Sequence, residues 1–325
     1  MPKFNRLVSG GIITNYYCSS KCRHCVYASS PSWPKDYMTV AMADDIFHFL
    51  KESGCRVVHI GGGEPLLDPD SLFPVLKAAQ DHSIDIEYIE TNASWYRDAD
   101  RTGDLLRKLQ QHKVDTLLIS IDPFHNEFIS FDKVKALIEA CRQLGTSVFP
   151  WLMEFWSDLE AMGDTQTHRL EEYESLFGPG YQLKLLRRYQ LNLRGRALQT
   201  FKAYLKTYPV REILMNSSPC GELSGVHHFH IDLYGNFVPQ TCAGLSIHYK
   251  DLKQEITPEK YPLFHALYTK GIKELYEMAV NRYGFTPKEC YAGKCELCYD
   301  IRRYLVMDIR QDLPDLQPAG HYIYM

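Results

Sequence analysis

The stretch Asn15-Tyr-Tyr-Cys-Ser-Ser-Lys-Cys-Arg-His-Cys25 carries three cysteines, Cys18, Cys22 and Cys25, on one short segment. Three thiolates can hold three corners of a 4Fe-4S cluster and leave the fourth iron open to a ligand that is not protein. A zinc site or a disulfide cluster is the alternative. Zinc would need a fourth ligand nearby, and the next cysteine is Cys55, at the entry to a predicted buried strand. The spacing therefore favours an iron-sulfur site with an open iron.

Composition excludes several classes of protein. The chain has 325 residues, 45% of them hydrophobic, and a formal net charge of -4. This length suits one large domain and a smaller one, and the near-balanced charge indicates no nucleic-acid or anionic-membrane partner. No apolar run is long enough to span a membrane, and the first residues do not resemble a signal peptide. Ten cysteines then indicate metal or thiol chemistry in a reducing compartment, so we expect a cytoplasmic protein.

Strand-like apolar runs alternate with helical patterns through the first half of the chain. The run from Leu7 to Asn15 predicts a first strand that ends at the cysteines. Thr39 is a predicted N-cap, and Gly54 is placed to end the helix that follows. Six strand-then-helix units predict a parallel α/β fold, wound into an open sheet or barrel. The remaining strands are predicted at 55–60, 84–90, 116–121, 147–155 and 181–189.

Polar and glycine-rich motifs follow these strands at their carboxyl ends, where parallel α/β folds bind ligands. Gly61-Gly-Gly-Glu-Pro65 follows the second strand and Thr91-Asn-Ala93 the third. Glycines permit close backbone approach, although an isolated glycine run is also found in ordinary strand-to-helix turns. The shared position of the motifs predicts one active site.

The cysteine spacing resembles that of the radical S-adenosylmethionine (SAM) superfamily, and the resemblance covers about the first two hundred residues. It implies a partial (β/α)6 barrel of the TIM type. It also implies that the open iron chelates SAM, and that an electron from the cluster yields a 5'-deoxyadenosyl radical. An external electron donor, such as a flavodoxin or ferredoxin, would supply that electron.

The same resemblance implies roles for residues near SAM. His24 stands where the family carries a ring residue that packs near the adenine. Gly62-Gly63-Glu64-Pro65 looks like the GGEP motif, which contacts the SAM amino group, and Thr91-Asn92-Ala93 resembles a TNG-type motif with alanine in place of glycine. An arginine after the sixth strand can approach the SAM carboxylate, although a solvated arginine is the alternative. The further residues implied are Ser120, Asp122 and Arg196.

A second group of cysteines follows the predicted barrel. A predicted β-hairpin, with its turn at Tyr234-Gly235-Asn236, separates the first two, and a Cys-x-x-Cys pair comes later. The pattern resembles the auxiliary-cluster extension called the SPASM or twitch domain, which implies a second 4Fe-4S cluster. Structural zinc is the alternative, and Cys290 is a rival ligand. The implied ligands are Cys220, Cys242, Cys295 and Cys298.

The predicted domains are the barrel at 1–205, the auxiliary domain at 206–312 and a tail at 313–325, which will not continue a helix. His125 and Glu154 are further candidates for contact with substrate, and Cys55 and Cys141 are predicted core residues. A fold does not choose a substrate. A peptide or protein substrate is preferred, a small molecule in cofactor or natural-product biosynthesis is the alternative, and the SAM motifs count against a non-enzymatic electron carrier.

Overall fold

The computed structural model describes residues 3, 4, 6–163, 165–239 and 242–325. Strands and helices alternate in its first half, as the sequence pattern predicts. The elements of that half are β1 (Ser9–Ile13), α1 (Val40–Glu52), β2 (Val57–Gly61), α2 (Pro69–Asp81), β3 (Asp85–Thr91), α3 (Ala99–Gln111), β4 (Thr116–Ser120), α4 (Pro123–Asn126), α5 (Phe131–Leu144) and β5 (Ser147–Trp151).

Helices dominate the second half, and its strands are short. The elements there are α6 (Trp156–Met162), α7 (Leu170–Phe177), α8 (Tyr181–Arg188), α9 (Gly195–Phe201), β6 (Tyr208–Pro209), α10 (Val210–Met215), β7 (His227–Asp232), β8 (Asn236–Val238), β9 (Ile247–His248), α11 (Pro262–Thr269), α12 (Ile272–Tyr283), β10 (Cys290–Tyr291), α13 (Lys294–Met307) and α14 (Gly320–Ile323).

A side-chain cap starts helix α1 at the position that the sequence predicts. The Thr39 hydroxyl oxygen accepts a hydrogen bond of 3.2 Å from the Met42 amide, which satisfies one of the amides that a helix start leaves without a partner. The buried face of α1 carries Ile46 and Leu50, four residues apart. Gly54 follows the helix with a φ of +85°, a conformation that glycine adopts without strain.

The main sheet has eight strands in the order β5-β4-β3-β2-β1-β7-β8-β9. Strands β1 to β5 are parallel to their neighbours, so the predicted parallel α/β class is confirmed. Strand β7 lies parallel to β1 on its other side and forms an antiparallel hairpin with β8. The predicted hairpin is therefore present, and it continues the sheet that begins with the cysteine loop.

The strand predicted at 181–189 is wrong, because this segment forms helix α8. Tyr181 and Leu185, one helical turn apart, are its buried residues, whereas Lys184 and Arg187 are exposed. In an alternating strand Leu183 would lie on the same face as Tyr181 and Leu185, but it is exposed, as helical periodicity requires. Strand β5 is consequently the last parallel strand on its side of the sheet.

The C-terminal tail packs onto the rest of the chain. The Asp315 carboxylate accepts hydrogen bonds of 2.7 and 3.0 Å from the amides of Leu263 and Phe264 at the start of α11. The two nitrogens of His321 lie 3.3 Å from the Tyr16 hydroxyl and 3.0 Å from the Tyr27 carbonyl oxygen. The tail therefore contacts the segments on both sides of the cysteine loop. The predicted domain boundaries stay a prediction.

The apolar core fills the space between the sheet and its helices. Cys55 and Cys141 both belong to this core and are fully buried, as predicted. No helix in the described part of the chain combines the length and the apolar composition that crossing a membrane requires.

Candidate active site

A cavity of about 350 Å³ lies where the first parallel strands end, and the three cysteines of the N-terminal loop are part of its wall. Seven further residues predicted from the sequence line the same cavity. They are His24, Gly62, Gly63, Thr91, Asn92, Ser120 and His125.

The glycine turn packs directly against the backbone of the cysteine loop. The Gly63 amide donates to the Asn15 carbonyl at 2.8 Å. A Cβ atom at Gly63 would lie 2.0 Å from the Tyr17 carbonyl oxygen, and one at Gly62 would lie 2.5 Å from the Asn15 side-chain oxygen. Any larger residue would push the loop away, so glycine at both positions holds the cysteines close to the end of β2.

Glu64 joins the second and third strand ends. Its buried carboxylate accepts hydrogen bonds from the Thr91 hydroxyl at 3.0 Å, the Asn92 amide at 2.7 Å and the Leu66 amide at 3.2 Å. Burial raises the pKa of Glu64 to about 7. Pro65 begins a short 3-10 helix. Neither Glu64 nor Pro65 is among the residues that line the cavity, so both support the wall from behind.

The thiols of Cys18 and Cys22 are buried, and the Cys18 sulfur receives hydrogen bonds. The Cys18 sulfur lies 3.4 Å from the Ser20 amide nitrogen and 3.5 Å from the Asn92 side-chain nitrogen. Burial raises the pKa of Cys18 to about 12 and raises the pKa of Cys22 well above its ordinary value. Without a cation nearby these thiols stay protonated, whereas a metal would displace the protons. Three thiols in one cavity wall, with N–H donors to the Cys18 sulfur, fit an iron-sulfur cluster.

Arg196 contacts the cysteine loop and does not line the cavity. Its guanidinium donates to the carbonyl oxygens of Cys22, Ala28 and Ser29 at 3.0, 2.6 and 3.0 Å. The preceding Gly195 has a φ of +53°, and a Cβ atom there would lie 1.9 Å from a loop carbonyl oxygen. These contacts hold the loop in shape. Contact between Arg196 and the SAM carboxylate stays a prediction.

His24 belongs to an aromatic cluster at one side of the cavity. Its ring stacks on Phe124 at 4.7 Å and meets the edges of His125 and Tyr189 at 4.8 and 5.0 Å. The Asp122 carboxylate accepts from the His125 amide at 3.0 Å and lies 2.7 Å from its Nδ1. Burial alone would raise the pKa of Asp122, but the adjacent imidazoles lower it to about 2.

Asp122 is therefore a carboxylate that orients His125 toward the cavity. His24, Asp122 and His125 together offer three possible metal-ligand atoms within 4.8 Å of one another. Glu154, the other candidate for contact with substrate, is exposed and is not among the lining residues.

The sequence analysis missed a polar group on the inner face of the sheet. Tyr88 and Glu90 on β3 line the cavity together with His228 on β7. The Nε2 atoms of His59 and His230 lie 3.2 Å apart. Burial lowers the pKa of His59 to about 3 and raises the pKa of Glu90 to about 7. Alternation along β3 could have placed Tyr88 and Glu90 on the cavity side, but the histidines meet only because β7 pairs with β1.

A second cavity contains all four predicted auxiliary cysteines. Cys290 lies instead on β10, paired with Pro209 of β6, and is not among the lining residues. All four thiols in the cavity are free of disulfide bonds. The cysteines that line this cavity are Cys220, Cys242, Cys295 and Cys298.

Cations lie beside the four thiols, together with the Glu222 carboxylate, which is 3.1 Å from the Cys220 sulfur and pairs with Arg194 and Lys294. The Arg194 guanidinium lies 3.3 Å from the Cys242 sulfur, and the Lys294 ammonium lies 4.0 Å from the Cys220 sulfur. Arg302 also lines the cavity. Four thiols among cations fit a group that is negative once the thiols ionise, which describes both a 4Fe-4S cluster and a tetrathiolate zinc site.

Comparison with known families identifies the first of these sites. Residues 12–162 match the family model described as "Radical SAM superfamily". These residues form a radical SAM domain. The superfamily uses a 4Fe-4S cluster and SAM, and the cavity with Cys18, Cys22 and Cys25 lies within this radical SAM domain. A radical SAM domain therefore accounts for a little under half of the chain.

Solved structures of low similarity were also found. One is native anSMEcpe with bound AdoMet and Cp18Cys peptide, with 19% identity over 44% of this chain and 42% of that chain, at a TM-score of 0.34. Another is the [FeFe]-hydrogenase maturase HydG, with 18% identity over 45% of this chain and 35% of that one, at 0.35. Streptococcus suis SuiB bound to precursor peptide SuiA matches at 16% identity over 95% of this chain and 74% of that one, at 0.36. No curated protein sequence matches the chain.

Proposed function

We propose that this radical SAM enzyme abstracts a hydrogen atom from a peptide or protein substrate and that the substrate is then oxidised or rearranged. The observation that carries the proposal is the presence of two thiol cavities in one chain, one with three cysteines and one with four. Three thiols leave one iron open to SAM. Four thiols ligate every iron of a cluster, which can then only transfer electrons or stabilise the fold. Such a pair suits a reaction in which the substrate radical loses an electron.

The chain's own residues would bind and orient the reactants. When bound, the first cluster and SAM supply the deoxyadenosyl radical. The glycine turn holds the cysteine loop against the end of β2, and stacking on Phe124 fixes the orientation of the His24 ring. The Asp122 carboxylate fixes the orientation of the His125 ring, so that the other face of the cavity presents an imidazole to substrate. The surrounding aromatic side chains limit the entry of water.

The cavity wall favours a peptide side chain because it combines apolar and polar surfaces. Leu118, Leu191 and Trp151 contribute apolar surface to the wall, and Glu90 and His228 contribute polar surface. A side chain with an apolar stem and a polar end would contact both parts. The polar part alone would suit a small alcohol or amine, which is the second candidate substrate class.

The test traces the hydrogen atom that moves from the substrate to 5'-deoxyadenosine. Anaerobically reconstituted enzyme is mixed with SAM, a reductant such as reduced flavodoxin, and a candidate peptide that carries deuterium at chosen residues. Deuterium in 5'-deoxyadenosine would support the peptide proposal. Deuterium transfer from a labelled small alcohol or amine, with none from any peptide position, would replace it with the small-molecule alternative.

The second cavity has its own test. Reconstituted enzyme with both clusters should contain about eight irons, four for each 4Fe-4S cluster. One equivalent of zinc with about four irons would show a structural zinc site in place of the auxiliary cluster. Absence of stoichiometric metal at the four cysteines would contradict the proposal that this site accepts an electron from the substrate radical.

A further inference from the structure

Among the described residues that line the N-terminal cavity, the one with Cys18 in its wall, Glu90 is the single aspartate, glutamate, lysine or arginine. The carboxylates of Asp122 and Glu64 are fully buried behind the wall, and the Arg196 guanidinium donates to carbonyl oxygens of the cysteine loop. A ligand in the cavity therefore meets one carboxylate and, within the described part of the wall, no lysine or arginine.

The Glu90 carboxylate lies between a strand backbone and an apolar side chain. In the sheet Glu90 is paired with Leu118 of β4. On its other side, a Cβ atom at Gly61 would lie 3.0 Å from the Glu90 Oε2, so glycine at this position leaves room for the carboxylate. Burial is incomplete, since 43% of the Glu90 side chain is exposed where it lines the cavity. The carboxylate is therefore accessible to a ligand.

The neighbouring histidines do not supply a cation for Glu90. The Nε2 of His59 lies 3.8 Å from the Glu90 carboxylate, beyond hydrogen-bonding distance. Burial lowers the pKa of His59 to about 3 and also lowers the pKa of His228, so both rings are neutral near pH 7. His125 has its Nδ1 2.7 Å from the Asp122 carboxylate, which matches any charge on that ring. Within the described chain, Glu90 is therefore a desolvated carboxylate without a paired cation.

Aromatic rings share the cavity wall with this carboxylate. Tyr88 stands two residues before Glu90 on β3 and so lies on the same face of the strand. Tyr27, Trp151 and Tyr189 line the cavity as well. The faces of such rings attract cations and offer nothing to an anion. One carboxylate among aromatic rings is therefore a surface that recognises a positively charged group.

Glu90 lies farther from the cysteine loop than the residue that follows its strand. The side-chain nitrogen of Asn92 is 3.5 Å from the Cys18 sulfur, and Glu90 precedes Asn92 by two residues. Two residues of extended chain span roughly 6–7 Å. A ligand of the N-terminal cluster therefore reaches the level of Asn92 first, and Glu90 remains for a group that extends deeper into the cavity.

We propose that the substrate carries a cation on an alkyl stem and that this cation pairs with the Glu90 carboxylate. In a peptide the group is a lysine or arginine side chain, and in a small molecule it is an alkylammonium ion. Methylene groups of the stem pack on Leu118 and Leu191, which line the same cavity. An anionic group would meet a like charge, and a neutral one would leave the carboxylate unpaired. This inference rests on the proposed function, because it names the substrate class of that site.

The binding test uses single-residue probes and the reconstituted full chain, without reductant. The probes are the N-acetyl methylamides of lysine, arginine, norleucine, Nε-acetyl-lysine and glutamate, which differ in charge at the end of a similar stem. Saturation-transfer NMR titrations give the dissociation constants. We expect the lysine or arginine probe to bind about tenfold more tightly than the two neutral probes, because a charge-assisted hydrogen bond forms in a desolvated site. The glutamate probe should bind most weakly.

Variants of Glu90 test whether this carboxylate is the cause. Glu90→Gln keeps the shape of the side chain and removes its charge, so it should abolish the preference for the cationic probes and leave the affinity for the norleucine probe unchanged. Glu90→Asp, which keeps the charge on a shorter stem, should retain part of the preference. The matched control is Glu87→Gln, at an exposed position on the same strand, which should change nothing. A preference that persists in Glu90→Gln, or cationic probes that bind no more tightly than the norleucine probe, would overturn the proposal.

SAM is itself a cation and provides the competing explanation for Glu90. If the carboxylate paired with SAM, Glu90→Gln would weaken SAM binding, and SAM would displace the cationic probes. Equilibrium dialysis of labelled SAM and probe titrations in its presence measure both effects. We expect SAM affinity to be unchanged in Glu90→Gln and the cationic probes to bind with SAM present. Displacement of the probes by SAM, or weaker SAM binding in the variant, would overturn the proposal.

A last probe, the butylammonium ion, distinguishes the two sources of the cation. Tighter binding of the lysine probe would assign the site to a peptide side chain, because the flanking amides then add contacts. Equal or tighter binding of butylammonium would assign it to a small amine.

These outcomes are separate from those that test the proposed function, because probe binding requires neither reductant nor radical formation. Deuterium transfer from a peptide that contains no lysine or arginine would leave the proposed function intact and reject the cation site. Cation binding that depends on Glu90, without deuterium transfer from any peptide, would retain the cation site and reject the peptide substrate.

Discussion

The two cysteine sites of this chain are built in opposite ways. The N-terminal site uses three thiols within the eight residues from Cys18 to Cys25, whereas the C-terminal site collects four thiols from a span that runs from Cys220 to Cys298. The first is shaped by a single loop, held by the glycine turn and by Arg196. The second exists only once the hairpin, α11 and α13 have packed together.

Their electrostatic surroundings differ as well. Arg194, Lys294 and Arg302 line the C-terminal cavity, whereas Arg196 directs its guanidinium to backbone oxygens outside the N-terminal cavity. A positive environment stabilises the more negative, reduced form of a bound cluster. The two sites therefore differ in whether arginine and lysine side chains line the cavity that holds the thiols.

The largest expected effect comes from removal of the N-terminal thiols. Replacing Cys18, Cys22 and Cys25 together by Ala should abolish 5'-deoxyadenosine formation, because no other residues hold the iron that binds SAM. Iron content should fall from about eight to about four per chain, with the C-terminal site still loaded. The measurements are chromatography of SAM cleavage products and iron analysis. Undiminished cleavage in the triple variant would refute the assignment of this site.

Substitution at the C-terminal site should separate SAM cleavage from substrate conversion. In Cys295→Ala/Cys298→Ala, about four irons should be lost, while 5'-deoxyadenosine still forms and the substrate product disappears. Anaerobic product analysis with the identified substrate measures both. Full product formation by this variant would show that the second site has only a structural role.

Substitutions of Arg196, beside the N-terminal thiol site, and of Arg194, beside the C-terminal thiol site, should have independent effects. Arg196→Met removes a buried guanidinium from three carbonyl oxygens, which should lower the free energy of unfolding by about 2–4 kcal/mol and speed loss of the N-terminal cluster. Arg194→Gln removes the cation beside Cys242 and should lower only the reduction potential of the C-terminal cluster. Denaturation and electron paramagnetic resonance titration of each variant measure the two effects. Changes at both sites from either substitution would show that the sites are coupled.

A smaller effect should appear in the pH dependence of the free energy of unfolding, through Glu90 in the N-terminal cavity. Desolvation within the cavity raises the pKa of Glu90 from 4.5 to about 7, while 43% of its side chain stays exposed. Between these pH values the folded chain holds a proton that the unfolded chain has lost. The contribution of Glu90 to stability therefore falls as pH rises from about 4.5 to about 7. Glu90→Gln should flatten this slope, measured by anaerobic denaturation across that range. Glu87→Gln, at an exposed position on the same strand, is the control and should not change it.

The smallest effect is expected from Cys290→Ala. This cysteine lies on β10 and is not among the residues that line the C-terminal cavity, so both clusters and SAM cleavage should be retained. Iron analysis and product assays on the variant provide the check. Loss of about four irons would make Cys290 a ligand and would require a different set of four cysteines.

The structural features that were predicted correctly are determined by residues that lie close to one another in sequence. The cap at Thr39 and the turn of the β7–β8 hairpin are decided within a few residues. The strand predicted at 181–189 failed because its apolar spacing suits a helix when Tyr181 and Leu185 have a core to pack on. The contact between His59 and His230 joins residues 171 positions apart. No local pattern contains that contact, because it follows from the pairing of β7 with β1.

That pairing also constrains electron transfer. Strand β1 leads into the cysteine loop, and its neighbour β7 begins the hairpin that leads toward Cys242, with Gly10 to Ile13 in register with Phe229 to Asp232. Hydrogen bonds between β1 and β7 therefore hold together, within one sheet, the strands that lead to the two thiol sites. If both hold clusters, the path for electron tunnelling has a constant length, and an electron can cross it without any domain first moving into place.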